Sequence, residues 1–156
     1  MAEWLTDQEL AAWQPFVESA GALLAVMEAD LMASHDLSQI DYGILVALAA
    51  APENRLRMSE LAGRFGVDPS VITYRVSRLS DRGIVERLAC PTDGRGVEAH
   101  LTPAGVDLLA DAAPSHVETV RREFVDHLTA TDLEALTRVF RKIRRYQTDS
   151  AAKSPT

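Results

Sequence analysis

Apolar residues recur at helical spacing near both ends of the chain, and this pattern predicts long helices there. The first helix is expected to begin at Thr6, because Thr6 and Glu9 have the form of a capping box. Its apolar positions fall into two adjacent stripes, formed by Leu10, Trp13, Val17, Leu24, Met27 and Leu31 and by Phe16, Ala20 and Leu23. A helix that is apolar on two sides needs other protein surface to pack against on both sides. Its own domain can cover one side, and a second subunit is a candidate for the other.

Two further helices are predicted in the last third of the chain. Pro103 begins the first of them, in a position where its missing N–H is not needed. Apolar positions continue to Leu128, and Pro114 is expected to kink this helix. Thr131 and Glu134 form a second capping box, which predicts the start of the final helix.

The middle of the chain has shorter elements. We expect helices over 38–51, 59–65 and 69–82, and strands over 84–89 and 97–101. Two short helices joined by a tight turn at a glycine are the sequence form of a helix-turn-helix. An Asp-Gly pair between the strands predicts a hairpin, and a hairpin in this place is a wing. The fold class predicted is mainly α with a small β-wing (α+β).

Charge is distributed unevenly along the chain. The 156 residues have a formal net charge of −7, which excludes a protein that coats nucleic acid indiscriminately and, taken as a total, favours an enzyme or a protein-binding module. Residues 1–54, however, carry nine acids and no Lys or Arg, whereas residues 55–95 carry eight arginines and five acids. The basic excess coincides with the predicted helix-turn-helix and wing, so a DNA-binding function is the better interpretation.

The predicted helix over 69–82 would place one exposed face in the major groove of DNA. That face consists of Pro69, Ser70, Val71, Thr73, Tyr74, Ser77 and Arg78. The hydroxyls of Ser70 and Tyr74 can bond to base edges, and Val71 can contact a thymine methyl group. The alternative is a solvated helix face that carries some arginines.

Other residues of the same region suit contacts that do not read bases. Thr73, Arg78 and Arg82 suit phosphate contacts, which position a helix without specifying sequence. Asp93 and Arg95 lie two residues apart at the hairpin tip, where the carboxylate can hold the guanidinium toward a narrow minor groove. The alternative for this pair is a surface ion pair of about 0–1 kcal/mol.

Four short segments add a further pattern, namely Ser-Val-Ile-Thr at 70–73, Arg-Leu-Ser-Asp-Arg-Gly-Ile-Val at 78–85, Asp-Gly-Arg at 93–95 and Leu-Thr-Pro-Ala-Gly at 101–105. In this order they resemble the multiple antibiotic resistance regulator (MarR) family. The similarity extends over about residues 5–147, and the order of helix, wing and helix is specific in combination.

The resemblance implies a homodimer of winged helix-turn-helix subunits. It implies a single domain over 1–147, in which 5–34 and 103–147 form dimerisation helices and 38–101 forms the DNA-binding lobe. Residues 148–156 are left as a flexible tail. The family further implies binding to a pseudo-palindromic operator in double-stranded DNA, most often as a repressor, and release by a small phenolic or other aromatic ligand or by oxidation.

The resemblance also implies roles for individual residues. The matches are Ser70, Val71 and Tyr74 for the base-reading face, Thr73, Arg78 and Arg82 for phosphate contacts, Asp93 for wing support and Arg95 for the wing tip. A ligand cleft is expected between the first two helices, with the candidates Trp13, Phe16, Met27, Leu31, His35 and Tyr42. The alternative for these six residues is ordinary core packing.

Two other functions remain open from the sequence. One is a winged-helix module that dimerises and binds protein, and the other is a thiol-based redox-sensing regulator that acts through Cys90. No nucleophile–base pair, phosphate loop or metal triad stands out, so we expect no enzymatic activity, metal or cofactor. The absence of an 18-residue apolar run, of a basic secretion signal and of a second cysteine predicts a cytoplasmic protein without membrane contact.

Overall fold

The computed structural model describes residues 4–90 and 96–151. Its elements in chain order are α1 (Asp7–His35), α2 (Gln39–Ala49), β1 (Arg55–Arg57), α3 (Met58–Phe65), α4 (Pro69–Asp81), β2 (Val85–Ala89), β3 (Val97–Leu101), α5 (Pro103–Glu123) and α6 (Ala130–Ala151). Single 3-10 turns at Pro52–Asn54 and Val125–His127 precede β1 and follow α5. The chain divides into two compact units, residues 1–119 and 120–156, with the division inside α5. The predicted mainly α fold with a small β-wing is confirmed.

The apolar core of the first unit lies between α2, α3, α4, the sheet and the C-terminal part of α1. Its largest fully buried side chains include Leu31, Leu37, Ile44, Leu45, Leu48, Leu61, Ile72, Leu79 and Leu101. Each contributes about 1.5–3 kcal/mol by leaving water. Ile72, Val76 and Leu79 of α4 recur at helical spacing and are buried in this core, so helical periodicity is a sound guide there.

The helix-turn-helix consists of α3 and α4 with a tight turn between them. Gly66 ends α3 in the left-handed conformation, and Asp68 caps α4 by accepting from the backbone N–H of Ser70 at 2.8 Å. At the other end of α4, Gly83 has φ +72°. The Ile84 N–H donates to the Leu79 carbonyl at 3.0 Å, which is the hydrogen bond of a Schellman motif.

The three strands form an antiparallel sheet in the order β1-β3-β2. Leu56 of β1 lies opposite Ala99, and Val85 of β2 lies opposite Leu101. The sequence did not predict β1, because a three-residue strand with two arginines has no alternating pattern of its own. Gly105 brings α5 close to this sheet, since a Cβ there would collide with the Ile84 carbonyl oxygen.

Three predictions for the C-terminal helices need correction. The helix α5 ends at Glu123 instead of continuing to Leu128, and a 3-10 turn replaces its last turn. The cap of α6 is Thr129, not Thr131: the Thr129 N–H donates to the Asp132 carboxylate at 2.9 Å, and the Asp132 N–H donates back to the Thr129 hydroxyl at 3.3 Å. Both threonines have an acid three residues later, and only the geometry separates them.

The helix α6 also extends beyond its expected end. It runs through Ala151, so residues 148–151 of the predicted flexible tail are helical, while 152–156 lie outside the described residues. The reason is local, because no Gly or Pro interrupts the chain between Thr131 and Ala151.

Candidate nucleic-acid interface

The helix α4 has one buried and one exposed face. Ile72, Val76 and Leu79 face the core. The opposite side carries the predicted DNA-contacting residues, of which Pro69, Ser70, Thr73, Tyr74 and Arg78 are exposed, and Val71 and Ser77 are half-buried. The structure therefore brings all seven of these predicted residues onto a single helix.

The first turn of α4 is held in place by Asp68. Its Oδ1 accepts from the Ser70 backbone N–H at 2.8 Å and from the Ser70 hydroxyl at 2.5 Å. The Ser70 hydroxyl and then its N–H hold the pKa of the Asp68 carboxyl below its ordinary value. Because the hydroxyl already donates, its remaining lone pairs are suited to accept from a base amino group.

Thr73 and Tyr74 follow on the same face. The Thr73 hydroxyl donates to the Pro69 carbonyl at 2.9 Å, so its side chain is fixed against the first turn. Tyr74 is 58% exposed and extends its phenol away from the core. A rigid hydroxyl and an exposed phenol suit a phosphate contact and a base contact, respectively.

An open groove beside α4 contains residues that sequence reasoning missed. Arg57 and Arg87 line this groove together with Ser59 and Thr73, and the remaining lining residues are Met58, Gly96 and Val97. Two guanidinium groups and two hydroxyls at one groove are well suited to phosphate oxygens. The concentration of arginine in residues 55–95 was the available signal, but only the folded chain places these two beside α4.

Arg75 and Arg82 point to the other side of α4, toward the junction of α1 and α2. Arg75 lies 3.5 Å from the carboxylate of Asp41, the residue that completes the N-terminal cap of α2. Its guanidinium carbon is also 6.0 Å from the Tyr74 ring centroid. Arg82 donates to the carbonyl of Asp36 at 2.7 Å. Its predicted phosphate contact therefore has a competing set of contacts within the chain.

The described part of the wing is its base. The Cys90 N–H donates to the Gly96 carbonyl at 2.9 Å, which brings the two ends of the hairpin loop together. The predicted tip residues Asp93 and Arg95 lie outside the described residues, so their roles remain predictions.

The six candidates for a ligand cleft fall into two groups, one at the C-terminal end of α1 and on α2, the other nearer the N-terminal end of α1. Met27, Leu31 and Tyr42 are buried, and His35 is nearly so. The second group is Trp13 and Phe16, which are 54% and 44% exposed, with ring centroids 5.9 Å apart. Phe16 and Met27 are eleven positions apart in the helix, a rise of roughly 16 Å. The two groups are therefore too far apart for one small molecule to touch all six within a single protomer.

A polar cluster that the sequence did not predict surrounds the first group. The Tyr42 ring packs against His116 of α5 with centroids 4.3 Å apart, and His35 Nε2 lies 3.3 Å from Asp111. Burial lowers the pKa of His116, and the nearby Asp30 raises it in part. Buried nitrogens of both histidines and an oxygen of Asp30 have no hydrogen-bond partner. Long-range contact between helices creates this cluster, so no local pattern in the sequence indicates it.

Cys90 is the single cysteine and lies at the end of β2. It is 3% exposed, and its Sγ is 3.3 Å from a carboxylate oxygen of Glu98. A buried thiol is poorly accessible to oxidants. Within residues 4–90 and 96–151 no three potential ligands are grouped so that they could hold a metal ion, and no helix is long and apolar enough to cross a membrane.

Comparison with known proteins decides the family. The MarR family model matches residues 35–96, which are α2, the helix-turn-helix and the first part of the wing. A MarR family transcriptional regulator from Streptomyces coelicolor, solved in complex with DNA, superimposes with a TM-score of 0.87 at 36% identity, over 92% of this chain and 89% of that one. The chain belongs to the MarR family. The predicted resemblance is confirmed.

Two further proteins are similar to this chain. AbsC, a MarR family transcriptional regulator from Streptomyces coelicolor, has a TM-score of 0.87 at 35% identity, over 94% of this chain and 98% of that one. A regulatory protein named for the hcr operon of Thauera aromatica is 41% identical over 44% of this chain, a match that spans 40% of its own length. The MarR family consists of transcription regulators with a DNA-binding winged helix, not of enzymes, and this chain has that fold.

Proposed function

We propose that the protein is a homodimeric transcriptional repressor, released from a pseudo-palindromic operator by a small aromatic ligand. The observation that carries the proposal is the exposed face of α4. It offers hydroxyls, a phenol and a guanidinium to a partner and is backed by a buried apolar face. Within the first unit, no other described element covers this face of the lobe, residues 38–101.

In the proposed complex, α4 of each protomer lies in a major groove. Ser70, Val71 and Tyr74 contact base edges, while Thr73 and Arg78 contact phosphates. The wing residues Asp93 and Arg95 would then reach the neighbouring minor groove. Two-fold symmetry places the half-sites about 10–10.5 base pairs apart.

The groove beside α4 supports the DNA-binding part of this proposal. The guanidinium groups of Arg57 and Arg87 lie in this groove together with Thr73, at the edge of the exposed face of α4. They add positive charge at a place where the phosphate backbone would pass if α4 entered the major groove. The surrounding chain is acidic, which confines DNA contact to this surface and lowers non-specific affinity.

Exposed apolar side chains on the terminal helices support the dimer. On α1 they are Leu10, Trp13, Phe16, Val17 and Leu24, and on α6 they are Leu133, Val139, Phe140 and Ile143. Apolar stripes of this length on a monomer are unusual and typically mark an association surface. A second copy of the chain is the partner that the family assignment favours.

The aromatic ligand is proposed for the cleft between α1 and α2. Within a protomer, Met27, Leu31, His35 and Tyr42 would line it. In the proposed dimer, the exposed rings of Trp13 and Phe16 would complete the cleft of the neighbouring subunit. A ligand that binds one arrangement of α1 and α2 more tightly shifts the population toward it, and release follows if that arrangement misaligns the two α4 helices.

The test is in vitro selection of bound double-stranded DNA, followed by binding measurements across a salt titration. We expect a pseudo-palindromic site, and we expect Arg78→Ala to weaken every sequence alike and to reduce the salt slope by about one unit. Ser70→Ala should instead relax discrimination at particular base pairs. Folded, dimeric protein that selects no sequence and shifts no DNA at low salt would favour the protein-binding module.

A further inference from the structure

The C-terminal end of α4 is fastened to the C-terminal end of α1. Arg82 Nη1 donates to the Asp36 carbonyl at 2.7 Å, and Nη2 donates to the His35 carbonyl at 3.4 Å. The Asp36 carboxylate lies 3.8 Å from the same guanidinium, whose side chain is 31% exposed. The last carbonyls of a helix have no partner within the helix and carry its negative dipole end, so a guanidinium is a favourable partner for them.

Backbone geometry at both ends makes this contact possible. Asp36 ends α1 in the left-handed conformation, with φ 51° and ψ 43°, which turns the chain toward α2. Arg82 is itself the C-terminal cap of α4 and is followed by the left-handed Gly83. The two residues are 46 positions apart in sequence, so the contact is purely tertiary.

We call the contact of Arg82 with His35 and Asp36 the joint. Two further polar contacts lie beside it at the end of α1. His35 Nε2 lies 3.3 Å from Asp111 of α5, and Arg75 of α4 lies 3.5 Å from Asp41 of α2. Polar contacts therefore join α4, beyond its apolar packing on the core, to a short segment, 35–41, that also contacts α5. The helix α1, whose exposed apolar stripe is the proposed dimer surface, leads directly into that segment.

We propose that Arg82 is a positioning residue for operator recognition and not a phosphate contact. It fixes the direction of α4 relative to α1, so that in the dimer the spacing of the two reading helices follows the position of α1. A guanidinium that left this joint to reach a phosphate would give up two carbonyl hydrogen bonds. The inference rests on the proposed operator binding.

The experiment compares Arg82→Ala with Arg78→Ala, a matched loss of one arginine one turn earlier on the same helix. Operator and non-operator DNA are each titrated across a range of salt concentrations, well below the unfolding temperature. For Arg82→Ala we expect operator affinity to fall by about tenfold, the size of one lost charge-assisted hydrogen bond, with non-operator affinity and the salt slope unchanged. For Arg78→Ala we expect both affinities to fall and the slope to drop by about one unit.

Two results would overturn the inference. One is a drop of about one unit in the salt slope of Arg82→Ala with equal loss on both DNAs, which identifies a phosphate contact. The other is unchanged operator affinity with only a lower unfolding temperature, which identifies a purely structural role. Arg82→Lys keeps the charge but not the two-pronged geometry, so it should restore a phosphate contact but not the joint.

Hydrogen exchange of the DNA-free protein separates this inference from the proposed function. Loss of the joint should speed exchange at the amides of Asp36 and Leu37, which close the end of α1, in Arg82→Ala but not in Arg78→Ala. If the wild-type protein binds no operator, the proposed function fails while this measurement still decides whether the joint exists. Unchanged exchange in Arg82→Ala would contradict the joint itself.

Discussion

Most apolar residues between Leu37 and Leu101 are buried within the chain, whereas most of α1 is exposed and no described side chain of α6 is buried. In the first region, α2, α3, α4 and the sheet share a continuous core. In the second, only Met27 and Leu31 of α1 are buried, and the described residues of α6 are exposed or half-buried. Both regions have a clear helical period of apolar positions.

An apolar stripe by itself therefore does not show whether the same chain or a second copy covers it. In the lobe, neighbouring elements from the same chain supply that cover within about 65 residues. The stripes of α1 and α6 lack such cover within their own units, so we expect their stability to depend on the proposed dimer. The lobe should thus behave as a concentration-independent unit and the terminal helices as a concentration-dependent one.

The strongest test of this contrast is a charge placed on the apolar stripe of α6. Ile143 is exposed in the monomer, and we expect Ile143→Glu to raise the dimer dissociation constant by at least about a hundredfold. A two-fold interface carries the change twice, and each buried isoleucine side chain contributes about 1.5–3 kcal/mol. Sedimentation equilibrium measures the effect. Thr137→Glu, on a more polar side of the same helix, is the matched control and should leave the dimer intact.

A substitution in the lobe should behave in the opposite way. Leu48 is fully buried, and Leu48→Ala should lower the free energy of unfolding by about 2–5 kcal/mol at every protein concentration. If instead Ile143→Glu lowered stability equally at all concentrations and left the dimer unchanged, the stripe of α6 would be covered within its own chain.

The sequence could predict those parts of the fold that local patterns determine. The core positions Ile72, Val76 and Leu79 repeat at helical spacing, and Asp68 and Gly83 mark the ends of α4 by their chemistry. The exposed face of α4 follows directly, because it is whatever the core does not bury. The reading helix and its candidate contacts are therefore predictable from local pattern alone.

The parts that could not be predicted depend on long-range contact. The strand β1 exists because Leu56 pairs opposite Ala99, more than forty residues later. Arg82 looks like any solvent-facing arginine on a helix, until the fold brings the end of α1 within hydrogen-bond distance. The groove of Arg57 and Arg87 arises in the same way, because β1 and β2 lie on either side of β3 and bring these two side chains to one groove beside α4.

A smaller effect tests where α6, in the second region, begins. The helix α6 has two candidate caps, and the structure selects Thr129, whose hydroxyl and N–H hold Asp132 and depress the pKa of its carboxyl. Thr129→Ala should lower the free energy of unfolding by about 1 kcal/mol, as loss of an N-cap does. Thr131→Ala is the matched control, with an expected change below about 0.5 kcal/mol. If chemical denaturation showed a larger loss of stability for Thr131→Ala than for Thr129→Ala, Thr131 would be the cap of α6, as the sequence suggested.

The smallest expected effect concerns His116, where α5 packs against the lobe. Burial lowers the pKa of His116 below its ordinary 6.5, with a partial offset from Asp30, so the folded protein favours the neutral imidazole. Protonation therefore favours the unfolded chain: the stability that His116 contributes is complete above about pH 6.5 and declines as the pH falls below it. Thermal unfolding between about pH 7.5 and 5 should show a shallower decline for His116→Gln than for the wild type. Equal declines in His116→Gln and the wild type would mean that water reaches His116 in the folded protein. The water-free core of the lobe would then end before α5.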